Sequence, residues 1–500
     1  MTLIHAGDDP RGRHASSSGE GFTRLVLLTV LGALVPGAGL VAAGRRFWGW
    51  LVLLPVLAVA GAGAAVVLTG RLVPLARSVA FDPQAMLVIA AGAAVGAVLW
   101  CVVIVATHAS LRRSPGVGRL TRGQRLGSLL LVTALLGLVV VPSATAARYA
   151  MANHDLLEGV FGSASRSGNA PNTASADPWA KVPRVTVLML GADTGADRVG
   201  TRPDTIMVAS IDTKTGDTTL LNVPRQLADV PFPQGSPAAS QWPTKCKEDG
   251  QNGCMLNAVY LFGTQNPGLF PGAADPGIEA TEQAVSAATG LDIDYYAMVD
   301  LEGFQQLVDA MHGLTLNVPR DIPIGGGIIQ GTKPERHYPI TGWIKKGPAQ
   351  QLDGYHALWF ARSREGSDND DRMARQQCVI SAAVKQYGPA ELAAAFPSLA
   401  KAAEKNIQTD IPADELNAFV DLGQLVKGGD LRALSFTNAN ISTGKPDYDA
   451  LRAMVKDAMY PAPAAPSASA APTASSSSAA AAPEPAKADP HQAVDPSTTC

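Results

Sequence analysis

Leu188-Met189-Leu190-Gly191-Ala192-Asp193 and Arg202-Pro203-Asp204-Thr205 are the two stretches on which the fold turns. The first closes an apolar run that starts at 184. The second opens another that continues through Ile206, Met207 and Val208 to 211. Short runs rich in Val, Ile and Met, bounded by turn residues, read as buried strands. Strands are therefore expected at 184–190 and 205–211, and a third at 218–223 after the turn Lys214-Thr215-Gly216-Asp217.

Further along, helical and strand patterns alternate. Helices are expected at 256–264 and 277–289, and a strand at 295–299. A helix at 301–311 should end at Gly313, followed by a strand at 314–318. Helices are expected again at 353–360, 372–387, 390–405 and 413–426. Mixed strands and helices point to an α/β fold, an α/β/α sandwich. The hairpin-linked strands exclude a purely parallel sheet, so the central sheet should be mixed.

This globular stretch is one part of an uneven chain of 500 residues with net charge −3. That balance predicts no bulk attraction to nucleic acid or anionic membrane. The first third is nearly free of acids. Its apolar runs at 47–69, 85–107 and 126–148 are each long enough to cross a bilayer, which takes about 20 residues. A fourth run, 25–44, is broken by Pro36-Gly37 and Gly39. The loop before the last span carries Arg112, Arg113, Arg119, Arg122 and Arg125, so it should be cytoplasmic. Everything beyond 150 then lies outside the cell. Arg11, Arg13 and Arg24 place the N-terminus inside as well, which requires an odd number of crossings. The reading adopted is three spans with 25–44 as a re-entrant hairpin. Four spans with an outside N-terminus is the rival.

Five parts follow: a cytoplasmic tail 1–23, a membrane region 24–149, a Gly/Ser/Asn/Pro linker 150–181, a globular domain 182–460, and an Ala/Pro/Ser tail 461–500. The tail cannot bury enough apolar area to fold and is expected to be disordered. Cys246 and Cys254 bracket a polar loop and suggest a local disulfide in an oxidising compartment. Two free thiols is the other reading.

Two groups of residues could carry chemistry. Asp193 ends one strand and Asp204 opens the next. If those strands are neighbours, two carboxylates meet at one sheet edge. Such a pair suits a hard cation such as Mg²⁺, with Mn²⁺ as the alternative. Two aspartates capping turn N–H groups would look the same. The second group is cationic: Arg225, Arg362 and Arg364, then Arg372, Arg375 and Gln376. The last three are spaced i, i+3, i+4 and are expected to share a helix face. Guanidiniums focused on one spot suggest bidentate phosphate recognition. A solvated face paired with Asp368, Asp370 and Asp371 is the alternative. Together, a carboxylate pair and an arginine basket describe phosphoryl transfer, and so many cations suit a pyrophosphate better than a monophosphate.

Other classes find no support. There is no Walker loop and no Gly-x-Ser-x-Gly elbow. His312, His337 and His356 are isolated in sequence, and Asp309 reads as a local cap. No nucleic-acid reader motif is present.

The collinear motifs resemble the LytR-CpsA-Psr family over about residues 182–460. They run Leu190-Gly191-Ala192-Asp193, Arg202-Pro203-Asp204-Thr205, Asn222-Val223-Pro224-Arg225 and Leu256-Asn257-Ala258-Val259-Tyr260. Val299-Asp300-Leu301-Glu302-Gly303-Phe304, Ala361-Arg362-Ser363-Arg364 and Asp371-Arg372-Met373-Ala374-Arg375-Gln376 follow. The resemblance implies an α/β/α sandwich that takes a polyprenyl chain in an apolar tunnel. It implies Mg²⁺ on Asp193 and Asp204. It implies pyrophosphate held by Arg202, Arg225, Arg362, Arg364, Arg372 and Gln376, with Arg375 added from its spacing. Arg225, Arg362, Arg364 and Arg372 are the expected catalytic set. The implied reaction moves a glycopolymer from its polyprenyl-pyrophosphate carrier to peptidoglycan, at the outer face of a multi-pass membrane protein. A polyprenyl-pyrophosphate phosphatase, or a non-catalytic envelope regulator that binds the lipid, are the alternatives. Four positions depart from the family pattern. Gln226 stands where an acid is usual, Gly195 where an Arg is common, with Arg198 nearby, Met255 where a base is expected, and His312 where the family has Gly.

Overall fold

The computed structural model describes residues 18–114, 117, 119–161, 168–193, 201–242, 254–329, 336–388, 406–460 and 491–496. The chain forms two compact units, Met1–Asp155 and Leu156–Cys500.

In the first unit, α1 (Ser18–Leu34) stops where Gly37 takes φ 94°. A five-residue α2 (Ala38–Ala42) then packs back on α1. A Cβ on Gly39 would lie 2.9 Å from Gly32 Cα and from Leu28 O, so only glycine permits this approach. The broken run 25–44 is thus a helical hairpin. Next come α3 (Arg46–Leu68), α4 (Leu72–Ala80), α5 (Pro83–Arg112) and α6 (Arg122–Val160). Asp82 caps α5 by accepting from the N–H of Gln84 and Ala85, with Pro83 in the first turn. α3, α5 and α6 are long and apolar enough to cross a membrane. They match the three expected spans. α4 was not anticipated.

α6 continues to Val160, so the first residues of the expected linker are helical. The rest of that stretch is also packed where it is described. Asn169 Nδ2 donates to Asp294 Oδ1 at 2.8 Å, and Trp179 is buried with its Nε1 donating to the Ala418 carbonyl at 3.1 Å. The stretch is low in apolar period, but its Trp179 and Val182 pack against Ala418 and Leu422.

The second unit is built on a six-stranded sheet of order β11-β4-β1-β2-β3-β12. Its members are β1 (Arg184–Ala192), β2 (Pro203–Asp212), β3 (Thr218–Asn222), β4 (Tyr295–Asp300), β11 (Ile407–Thr409) and β12 (Leu431–Ser435). β1 pairs antiparallel with β2 and parallel with β4, and β3 pairs parallel with β12. The sheet is therefore mixed, as expected. Side chains alternate between two buried faces. Leu188, Leu190, Ile206, Val208 and Leu221 pack with α7 (Pro237–Gln241), α8 (Leu256–Gln265), α9 (Pro276–Thr289) and α14 (Tyr448–Met459). On the other face, Val185 and Tyr295 meet α13 (Leu416–Gly428), and Ala209 and Leu220 meet Ile380 of α12 (Asn369–Gln386). That makes an α/β/α sandwich. A second core joins α10 (Leu301–Ala310), α11 (Gly354–Arg362) and α12 to the small strands β5 (Leu314–Val318), β6 (Ile322–Gly325), β9 (Ile340–Ile344) and β10 (Gly347–Leu352), while β7 (Ile328–Ile329) pairs with β8 (Arg336–His337).

The helix expected at 390–405 lies outside the described residues. The strands at 322–352 were not foreseen, and neither was α14. The tail 461–500 is not wholly without structure, because Val494 exchanges backbone hydrogen bonds of 2.7 and 2.9 Å with Ala433 on β12. β12 is the last strand of the sheet, and its open N–H and C=O groups attract a partner strand. His491 also reaches Met454 Sδ at 3.3 Å.

Candidate functional site at the carboxyl edge of the sheet

β1, β3, β4 and β12 all end at one edge of the sheet, and the antiparallel β2 begins there. Ligands of α/β sheets favour this edge. Asp193 directly follows β1, and its N–H points to the Arg202 carbonyl at 3.5 Å. In the β1–β2 ladder, Gly191 faces Thr205 but Ala192 faces Pro203. Asp204 is the extra residue of a β-bulge, a device that re-aims one side chain out of the strand alternation. Asp193 and Asp204 thus lie at adjacent ends of neighbouring strands.

Three distant segments send guanidiniums to Asp204. Arg225 lies in the turn after β3, which is tied to the start of α8 by Asn257 N–H donating to the Arg225 carbonyl at 3.0 Å. Its Nη1 donates to Asp204 Oδ1. Arg364, in the turn after α11, donates from Nη2 to Asp204 Oδ2 at 3.0 Å. Arg372, in the first turns of α12, brings Nη1 to 3.9 Å from Oδ2 and Nη2 to 3.4 Å from the Asp204 carbonyl. The Arg362 guanidinium lies over the Trp359 ring, 5.1 Å from its centroid. Gln376 Nε2 donates to Thr205 Oγ1 at 2.8 Å, pinning α12 beside the bulge.

Arg375 does not join this group. The i, i+3, i+4 spacing suggested one face, but residues 375 and 376 stand about 100° apart around a helix. α12 is wedged between the sheet and α11, so that rotation changes the neighbour. Arg372 and Gln376 meet the sheet, whereas Arg375 is buried against α11. Its Nη1 donates to the Phe360 carbonyl, its Nη2 to the Ser363 carbonyl at 2.5 Å, and its Nε to Asp371 Oδ2 at 3.1 Å.

The electrostatics of the basket are one-sided. Arg372 is buried, and its guanidinium is pushed down to about 9 by burial first and then by the charges of Arg364 and Arg225. Asp204 offsets only part of this. Arg364 is lowered for the same reasons, burial and then Arg225. Among the described residues, Arg372 Nε is also buried with no hydrogen-bond partner. A buried donor left unmade costs about 1–3 kcal/mol. The cluster would therefore gain from an entering anion. Arg202 sits just before β2 with its side chain half-buried.

Sequence reasoning missed Asn369, whose Oδ1 accepts from Arg372 Nη2 at 2.7 Å. It also missed Trp359 and Thr205 as supports for Arg362 and Gln376. The only signal for Asn369 was its position three residues before Arg372 on a helix. Asp309 is not the local cap expected: its Oδ1 accepts at 2.7 Å from the N–H of Gly354, 45 residues away at the start of α11. Cys254 is disulfide-bonded, while Cys246, its expected partner, lies outside the described residues, as do Gly195 and Arg198. Cys378 is disulfide-bonded too, which was not anticipated.

The sequence profile of the LytR_cpsA_psr family matches residues 162–458. The chain belongs to the LytR-CpsA-Psr family. The polyisoprenyl-teichoic acid–peptidoglycan teichoic acid transferase TagU of Oceanobacillus iheyensis is 30% identical over 245 residues, 47% of this chain and 62% of that protein. Biofilm regulatory protein A of Streptococcus mutans is 26% identical over 234 residues, 45% of this chain and 50% of that one. The chain thus spans between half and two thirds of these relatives' length. The crystal structure of B. subtilis TagV is 21% identical, with a TM-score of 0.38 over 55% of this chain and 94% of that one.

His312 takes φ 65°, immediately before Gly313 at φ 90°. Left-handed backbone is the conformation that favours glycine.

Proposed function

We propose that this LytR-CpsA-Psr domain transfers a glycopolymer from a polyprenyl-pyrophosphate carrier to peptidoglycan, releasing polyprenyl phosphate. The observation that carries the reading is the surplus of guanidinium over carboxylate around Asp204. Arg225, Arg364 and Arg372 share that one side chain, with Arg362 adjoining. A pyrophosphate brings the negative charge such a cluster lacks, and bidentate guanidiniums match its oxygens. The name of the TagU relative points to the same substrate class.

In this reading a muramic-acid hydroxyl attacks the polymer's phosphorus. A new P–O bond forms, the P–O bond to the carrier breaks, and polyprenyl phosphate leaves with the bridging oxygen. The hydroxyl proton passes to solvent or a carboxylate. Arg225, Arg362, Arg364 and Arg372 stabilise charge on the equatorial and leaving oxygens. Gln376 and Arg202 help to orient the pyrophosphate.

The donor set also suits a divalent cation. Asp193 and Asp204 offer hard oxygens on neighbouring strand ends. Among the described residues no group of three or more His, Cys, Asp or Glu could hold a metal. Two carboxylates alone fit Mg²⁺ or Mn²⁺, which keep waters and complete their shell with phosphate oxygens. When bound, the ion would neutralise charge on the pyrophosphate. Chelation should stop transfer, and Mg²⁺ should restore it.

The membrane-spanning helices and the disulfide-bonded Cys254 and Cys378 support a catalytic domain outside the cell, anchored by several spans. The test is polymer attachment by the full chain in membranes supplied with lipid-linked polymer and peptidoglycan. Arg362→Ala and Asp193→Ala should each abolish attachment and leave the protein folded. Attachment retained in both overturns the assignment. Release of phosphate without a peptidoglycan product would make water the acceptor.

A further inference from the structure

Arg362 ends α11, and Arg364 sits in the turn beyond it. A helix C-terminus leaves carbonyls without partners. No left-handed glycine closes α11, because Ser363 turns out with φ −57° and ψ 133°. Instead, Arg375 from α12 takes the exposed carbonyls. It donates to Phe360 O, to Ser363 O at 2.5 Å and to Ser367 Oγ at 3.4 Å. A cation at this end is also favoured by the helix dipole. Its remaining bond, from Nε, goes to Asp371 Oδ2 at 3.1 Å. Only 2% of Arg375 is exposed, and four of its bonds stay inside the protein, so it cannot also grip a ligand.

The brace extends further. Asp371 Oδ2 also accepts from Arg320 Nη2 at 2.6 Å, and Arg320 lies between β5 and β6. Ser363 Oγ donates to the Pro323 carbonyl of β6 at 2.7 Å. Glu365 Oε2, one residue past Arg364, accepts from Gly327 N–H at 2.9 Å. The turn that presents Arg362 and Arg364 is therefore clamped from α12 on one side and from the β5–β6 region on the other.

We propose that Arg375, with Asp371 and Arg320, is a positioning device that sets the alignment of Arg362 and Arg364 without touching substrate. This rests on the transfer reading above. A misplacement of about 1 Å in such groups costs about 10²-fold in rate. Lysine cannot replace Arg375, because its point charge cannot serve two carbonyls and a carboxylate in one plane.

The test uses the full-length protein in membranes with R375K, D371N and R320A. Two quantities are read: kcat and KM for the lipid-linked donor per folded molecule, and amide hydrogen exchange across 361–367. R375K should lower kcat about 10²-fold with a much smaller change in KM, and should speed exchange at 361–367 but not in α9. R320A removes a partly exposed side chain and should fold normally. It should lower kcat several-fold in the same sense. Direct contact with pyrophosphate would appear instead as a loss concentrated in donor KM, with exchange unchanged, and would overturn the proposal. So would a wild-type kcat in R375K. If R375K does not fold, R320A and D371N decide. If the wild type transfers nothing, the functional reading fails, and the exchange at 361–367 still decides the brace.

Discussion

Arg364 Nη2 donates to Asp204 Oδ2 at 3.0 Å, joining residues 160 positions apart in the chain. The same carboxylate receives Arg225 on its other oxygen and Arg372 at 3.9 Å. Asp204 is thus the shared counter-charge of the basket. Asp204→Asn should leave three guanidiniums facing one another. A loss of stability on the order of 2 kcal/mol is expected, below that of a fully buried pair because the carboxylate is part-exposed. Arg364→Ala should barely move the unfolding temperature yet cut transfer about 10²-fold. Thermal unfolding beside a transfer assay checks both. An Asp204→Asn protein with unchanged melting would contradict the shared role.

The pH dependence follows from Arg372. Its guanidinium is held at about 9 in the fold, well below its ordinary value. The folded value is the lower one, so between these limits the unfolded chain binds more protons. This group therefore favours folding increasingly as pH rises through that window, and its cost is fully present below about 9. An anionic ligand acts in the opposite sense, because it needs the charged form. Affinity for a polyprenyl pyrophosphate should be flat from about pH 7 to 8 and weaken above about 9. Calorimetric titration across that range measures it. Affinity that climbs steadily to pH 10 would refute the role of Arg372.

His312 at φ 65° is a candidate for stabilisation. A left-handed conformation costs a residue with a Cβ about 1–2 kcal/mol, part of which glycine returns as unfolded-state entropy. His312→Gly should raise stability by about 1 kcal/mol and leave transfer unchanged. Its carbonyl, which accepts from Gln351 Nε2 at 2.9 Å, is retained in the variant. Denaturant unfolding of the pair gives the number, and a destabilised variant would show that the imidazole makes contacts worth more than the strain.

Cys254 is disulfide-bonded, and the bracketed loop makes Cys246 its expected partner. Peptide mapping of the membrane-embedded protein without reductant should recover these two cysteines in one linked species. Cys101 should remain alkylatable, since it is free. A linkage of Cys254 to any other cysteine would displace the local pairing.

Much of this architecture could be read from residue patterns. The apolar runs of β1, β2 and β3 announced strands covered on both faces, and Gly313 marked the end of α10's region. The three long apolar helices stood out because runs of that length and composition are rare outside a bilayer. The short strands between 322 and 352 were not legible, because their side chains alternate weakly and several are exposed. Val494's return to β12 was invisible, since the edge strand it covers is defined only once the sheet has assembled.

Period and composition act within a few residues, so they settled which segments are helix, strand or span, and which ionisable residues deserved attention. Convergence on Asp204 depends on a one-residue bulge between β1 and β2 and on how α12 lies between sheet and α11. Neither leaves a local trace. That packing separated Arg372 from Arg375, sending one guanidinium to the basket and the other to the end of a helix, although three positions are all that divide them in the chain.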